Sequence, residues 1–328
     1  MIIRKYQLIK YKNTPTNTDL TDAQCIAVGK QAFFKNKRVE TLRLPTQLSV
    51  LKSQSLSKCR YLQTVTLFSE GSVGISTAAL ADCQRLKTVE NGETIAAIGK
   101  SAFRNCYALE KIRLGTTLRR IGERAFENCR SLAEINLPAG VESIENYAFS
   151  GCWSLEKAVW NSPCAVIPKG VFRNCVSLKD INIPDTVREI RSDAYRNCRA
   201  ITEILLPNGV KSVGKCSFFD CVGLKKVTTG ANCCRIGAFA FANNPNLKEV
   251  FLSNSVRKLG FGAFGLKKRQ DKIQILVNNE YMLRRIRIQL LLSGSFRCAE
   301  AVMVGKTIAE RKRERHRSTL DQNATHIS

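Results

Sequence analysis

The stretch "AFRNCYALEKIRL", residues 102–114, places a cysteine three residues after Phe103, then Leu109, Ile112 and Leu114 at six, nine and eleven residues after the same phenylalanine. The pattern recurs along the chain. Taking the aromatic or leucine as anchor, copies begin at Phe33, Leu56, Leu80, Phe103, Phe126, Phe149, Phe172, Tyr195, Phe218, Phe241 and Phe264. Every step is 23 residues except the 24 between Leu56 and Leu80. An aliphatic residue at positions six, nine and eleven, often followed by proline as at Pro45, Pro138, Pro184 and Pro207, reads as a short strand. Proline stops it, because it has no N–H to give a ladder. The remainder of the period is a turn, an apolar residue eight before the next anchor (Val141, Val187, Val210, Val256), and a glycine-bearing segment such as "IGERAF".

A unit this small cannot bury its apolar face alone and must stack on its neighbours, so the repeat predicts a solenoid. With rungs roughly 4.8 Å apart, eleven copies extend a parallel sheet on the order of 50 Å. The combination L-x-x-I-x-L-P followed by I-G-x-x-A-F-x-x-C resembles the BspA-like leucine-rich repeats over about residues 25–276. That resemblance implies a right-handed, curved leucine-rich-repeat solenoid: a parallel β-ladder on one face, short helical or 3-10 turns and loops on the other. It also implies a non-enzymatic adhesion or interaction protein at a cell surface or secreted. Residues 1–24 are expected to cap the first rung, 25–276 to form the eleven copies, and 277–328 to provide a C-terminal cap and basic tail. "EYMLRRIRIQLLL" reads as a helix or strand closing that end, and "AERKRERHR", residues 309–317, as a charged tail with Glu310 and Glu314 interleaved or, as the second reading, a nuclear-type or nucleic-acid-binding basic run.

Eight of the 14 cysteines share position three, from Cys59 to Cys221, and the first and tenth copies carry Asn36 and Asn244 there. Asparagine and cysteine share no nucleophilic chemistry, but both can hydrogen-bond to the backbone of a buried turn. A stacked ladder is therefore expected rather than disulfides, since translated side chains run parallel instead of facing one another. Cys164 and Cys233, where valine is usual, are expected to be small buried apolar residues. A zinc site from Cys216, Cys221, Cys233 and Cys234 is disfavoured because paired C-x-x-C spacing is missing.

The only histidines, His316 and His326, lie in the tail, so the repeats carry no imidazole for acid–base or metal work. "GFGAFG", residues 260–265, matches a dinucleotide loop in letters only, because it is the turn and anchor of the eleventh copy; "VGKT" at 304–307 has Glu300 where a phosphate loop needs its first glycine. No cofactor, metal or small-molecule substrate is expected, and an enzyme is the last of three readings. The first residues contain no apolar run of a secretory signal, and no stretch reaches the roughly 20 apolar residues of a membrane span. Together with the many cysteines this favours a cytoplasmic location, whereas the resemblance implies the cell surface.

The first functional reading is protein recognition through the exposed strand positions, eight and ten after each anchor. Position eight carries Lys111, Glu134, Lys157, Asp180, Glu203, Lys226, Glu249 and Lys272; position ten carries Arg43, Glu90, Arg113, Val159, Leu205 and Phe251. This face is nearly neutral although the chain is +25. The positive charge falls on positions one, four and five, with Lys37, Arg38, Arg60, Arg85, Arg104, Arg130, Arg173, Arg196, Arg199, Lys268 and Arg269 against Glu127 alone. The second reading is accordingly a basic flank that binds an anionic polymer, nucleic acid or acidic glycan. Trp153, four after its anchor, is a further exposed candidate, read as partly packed rather than as a hot spot.

Overall fold

A computed structural model of the chain describes residues 1–11, 14–265, 273–277, 280–292 and 302–304. Each copy makes one turn of a parallel β-solenoid. The strand foreseen at positions eight to ten appears in rung after rung, as Thr41–Arg43, Thr64–Thr66, Thr88–Glu90, Glu134–Leu137, Lys157–Trp160, Glu203–Leu205, Lys226–Thr228 and Glu249–Phe251. Position nine points inward and is buried in Leu42, Val65, Ile135, Ile204 and Val250. Partners stay in register across rungs, Glu134 with Lys157 and Lys226 with Glu249.

The opposite side carries a second parallel ladder built from the residue five before each anchor. Its strands include Arg120–Ile121, Ser143–Ile144, Ser212–Val213 and Arg235–Ile236, with the isoleucine or valine buried or nearly so. Most are two residues long, too short to show alternation, so the sequence announces only a glycine-bearing segment there. The glycine serves close approach: a Cβ on Gly122 would lie 2.6 Å from the Lys100 nitrogen of the preceding rung. Between the ladders the chain runs through tight turns, and the one helical turn inside the described repeats is the 3-10 segment Gly92–Thr94.

This second ladder is interrupted once, between Ser143–Ile144 and Val166–Ile167. Elsewhere the residue after the inward isoleucine donates to the preceding rung, Glu145 N to Ile121 O and Arg191 N to Ile167 O, both at 2.9 Å. At the interruption that residue is Pro168, which has no N–H to offer Ile144. A cavity of about 400 Å3 opens there, lined among others by Glu145, Cys164, Pro168 and Arg191.

The core is two stacked columns. The anchor rings lie face to face from Phe103 to Phe264, with centroids 5.1–5.7 Å apart. Beside them, each ladder thiol donates to the anchor carbonyl of the preceding rung at 3.0–3.3 Å, Cys59 to Phe33, Cys106 to Leu80, Cys152 to Phe126 and so on to Cys221 with Tyr195. Asn244 makes the same bond to Phe218 O at 3.0 Å, while Asn36 donates to Thr14 Oγ1 at 2.7 Å. Asn244 thus keeps the donor to the backbone, whereas Asn36 meets the backbone as an acceptor, its Oδ1 taking the N–H groups of Arg38 and Val39 at 2.9 and 3.0 Å. Thirteen described cysteines are free thiols. Cys233 is buried as expected, but Cys164 is only half-buried, because Ser162 takes the inner place and donates to Val141 O at 2.7 Å.

Two positions in each turn adopt positive φ, two before and two after the anchor. The later one is mostly Asn, Asp or Gly, the residues that tolerate the left-handed region. Its side chains form their own ladder: Asn105 donates to Asp82 at 2.8 Å, Asn128 to Asn105 at 2.9 Å and Asn197 to Asn174 at 3.0 Å.

At the N-terminal end Ile2–Arg4 and Gln7–Lys10 form an antiparallel hairpin, and Gln7–Lys10 and Asn17–Asp19 each extend one ladder by a strand. Tyr11 stacks on Phe33 at 5.5 Å. At the other end Glu249 pairs with Gln274 and Val250 with Ile275, so Ile275 rather than Ile273 is the inward strand residue of the eleventh copy, two residues later than the 23-residue register places it. The strand Val302–Val304 pairs beyond it. Residues Glu280–Leu292 form a helix, α1, with Ile286 buried against the terminal strands. No described helix is long and apolar enough to cross a membrane. Lys267, Lys268, Arg269, Lys272 and the run 309–317 lie outside the described residues.

Candidate functional site

The strand face is uneven along its length. Its ladder is broken between Lys111–Ile112 and Glu134–Leu137, and again between Asp180–Ile181 and Glu203–Leu205. At the first break the surface sinks into a groove of about 790 Å3, lined by Glu93, Lys111, Arg113, Glu134, Asn136, Lys157 and Val159 with Ile112, Leu114 and Ile135 along its floor. Lys111, Arg113, Glu134 and Lys157 are exposed, and among the described residues no ion pair engages any of them. The groove therefore presents three cations and two carboxylates over an apolar floor. Sequence spacing brings in Lys111, Arg113, Glu134, Lys157 and Val159; it misses Glu93, which comes from the 3-10 turn.

Beyond the second break the charges are matched internally. Lys226 pairs with Glu203 at 2.9 Å and lies over the Phe251 ring at 5.7 Å. Leu205 is 68% exposed, whereas Val159 and Phe251 are half-buried. Asp180 stands exposed at the edge of the break, and Glu249 is half-buried beside Lys226. The predicted face is thus two surfaces, an open charged groove near the middle and a largely self-paired stretch toward the C-terminal end.

On the turn flank the arginines are held in place by neighbours in the same rung or one rung away. Arg104 pairs with Glu127 at 3.5 Å, Arg196 with Asp193 at 3.1 Å, and Arg199 donates from Nε to Asn197 Oδ1 at 2.7 Å. Arg85 lies over Tyr61 at 4.9 Å, and Arg196 over Phe219 at 5.0 Å. Arg130 lies over Tyr107 at 4.5 Å and over Trp153 at 4.3 Å. Arg60 is exposed and Arg173 half-buried. Sequence reading found these arginines but not their aromatic partners Tyr61, Tyr107 and Phe219. The available signal was an aromatic at position one, four or five in the neighbouring copy.

Burial makes most of the inward cysteines poor nucleophiles. Burial pushes Cys83, Cys106, Cys129, Cys175 and Cys198 well above the ordinary thiol range, and Cys221 and Cys233 up to about 12. They stay protonated at neutral pH, and the thiol form is the inert one. Among the described residues no cluster of three or more His, Cys, Asp or Glu side chains could hold a metal ion, the Cys216, Cys221, Cys233 and Cys234 set included.

Comparison with known proteins places the repeat. The family model of the BspA type leucine rich repeat region, of six copies, matches residues 11–109, 68–178 and 165–283. The chain belongs to this BspA-type family. No curated protein matches the sequence. Among solved structures, a leucine-rich repeat protein from Bacteroides ovatus is similar at 18% identity over 80% of this chain and 84% of that one, with a TM-score of 0.46. The pneumococcal vaccine antigen PcpA is similar at 16% identity over 92% of each chain, TM-score 0.48. A leucine rich cell surface protein from Faecalibacterium prausnitzii shows 19% identity over 80% of this chain and 91% of that one, TM-score 0.41. As a BspA-type array the chain is a repeat scaffold of the kind used for interaction.

Proposed function

We propose that this BspA-type solenoid is a non-enzymatic recognition scaffold that binds a protein partner through its strand face, centred on the groove at the Lys111–Ile112 and Glu134–Leu137 break. The observation that carries this reading is the groove itself, where Lys111, Arg113, Glu134 and Lys157 surround an apolar floor without being paired to one another. Mixed charge over buried apolar surface suits a protein partner, which can offer complementary charges at the rim and an apolar side chain to the floor. A small-molecule site would instead be enclosed and mostly apolar. Leu205 and Phe251 extend the face, and the matched Glu203 and Lys226 between them add little net charge.

A photo-crosslinking residue at position 159 tests this, used on native lysate and on culture medium, with a second crosslinker at position 212 on the other ladder as control. The expected result is one discrete adduct from position 159 alone, abolished by Lys111→Glu with Lys157→Glu. Equal adducts from both positions, or an adduct indifferent to the charge reversal, overturn the reading.

A further inference from the structure

We propose that Arg130, clamped between Tyr107 and Trp153, is the centre of a second site on the turn flank that takes the sulfate or carboxylate groups of an acidic polysaccharide. The three residues occupy position four of consecutive copies, so the solenoid stacks them as ring, guanidinium and ring. Both faces of the guanidinium are covered, and the long side chain loses its rotamer freedom before any ligand arrives. Among the described residues no carboxylate or hydrogen-bond acceptor engages the Arg130 N–H groups. A guanidinium covered on its faces and open at its edges is a preorganised fork for a two-oxygen anion. Arg104 stands differently, because Glu127 already pairs with it.

The neighbours extend the site into a line. Arg60, Arg85, Arg104, Arg130, Arg173 and Arg196 belong to six of seven successive copies, Arg104 and Arg196 among them already paired with Glu127 and Asp193, and the copy without an arginine here supplies Trp153. At roughly 4.8 Å per rung the row spans on the order of 30 Å, the length over which a charged polymer makes several contacts. Single-stranded nucleic acid needs free aromatic faces on which its bases stack. Here Tyr107, Trp153 and Tyr61 turn a face to an arginine, which leaves edge contact through anionic groups as the stronger interaction. Trp153, 47% exposed, adds an apolar rim beside the fork.

The test measures binding of a size-defined heparin oligosaccharide to the full chain across a salt series, with poly-uridylate and poly-glutamate measured in parallel. Arg130→Lys keeps the charge and removes the planar fork. It is expected to weaken heparin about tenfold, the size of one charge-assisted hydrogen-bonded contact, while leaving the slope of affinity against salt unchanged. Trp153→Ala should weaken it similarly and Trp153→Phe should not. Arg130→Lys carries the test alone if Trp153→Ala lowers stability. Heparin binding by Arg130→Lys within twofold of the parent would show that bare charge suffices and overturn the site. So would a preference of the parent chain for poly-uridylate or poly-glutamate over heparin, because the clamp would then serve a different polymer.

Discussion

The buried columns and the strand face are made by the same translation, one rung to the next, yet one hardly changes along the chain and the other hardly repeats. In the interior each residue's neighbours are copies of itself. A phenylalanine stacks on a phenylalanine, and a thiol donates to the carbonyl of an anchor whose own rung makes the same bond. A change in one copy is therefore felt by the two beside it. On the strand face residues such as Lys111, Arg113, Glu134 and Lys157 meet solvent, and a change there alters only what a partner would meet.

Breaking an interior column should have the largest effect. Phe149→Ala removes a ring stacked on both Phe126 and Phe172 and should destabilise by about 3–5 kcal/mol in urea unfolding, the range for deleting a buried aromatic. Next is the donor column. Cys106→Leu should cost about 1–3 kcal/mol because Leu80 O loses its thiol donor, while Cys106→Asn, the residue used at Asn244, should stay near the parent.

Alkaline pH reaches the same column without mutation. The thiols of the unfolded chain ionise near pH 9, whereas burial holds Cys221 neutral up to about 12. With a folded value above the unfolded one, stability is fully present below pH 9 and is lost as pH rises from 9 toward 12. Melting temperature should fall through that window, less steeply in Cys106→Asn. On the strand face, Lys157→Glu should change stability by less than about 0.5 kcal/mol and be visible only in partner capture.

The smallest effect in free energy sharpens the comparison where the interior rule fails. Pro168→Glu, which places there the residue found at the same position one copy earlier, restores an N–H facing Ile144 O. A new hydrogen bond contributes about 0.5–1.5 kcal/mol, but losing proline frees the unfolded chain by about 0.4–1 kcal/mol, so the two nearly cancel. The readout is local: amide exchange at residues 142–146 and 164–168 should slow although the unfolding midpoint barely moves.

Much of this was legible in the residues. The register, the inward leucines and isoleucines and the backbone role of Cys106 follow from the repeat, because translation puts equal positions in equal surroundings; position ten does not keep one environment, exposed at Arg113 and Leu205 but buried at Thr66 and Thr228. What spacing missed has local causes. The half-exposure of Cys164 arises from Ser162 taking its place, the later start of the last strand from two extra residues after Phe264, and the second ladder from strands too short to alternate.

The sequence by itself determined that this chain is a stacked solenoid and most of the residues that face in, since a 23-residue unit with apolar anchors must stack on its neighbours to hide its apolar side. Only the tertiary structure decided where that regularity gives way. The groove beside Lys111 and the clamp on Arg130 both depend on which side chains stand one rung apart, a relation between copies that no single copy contains.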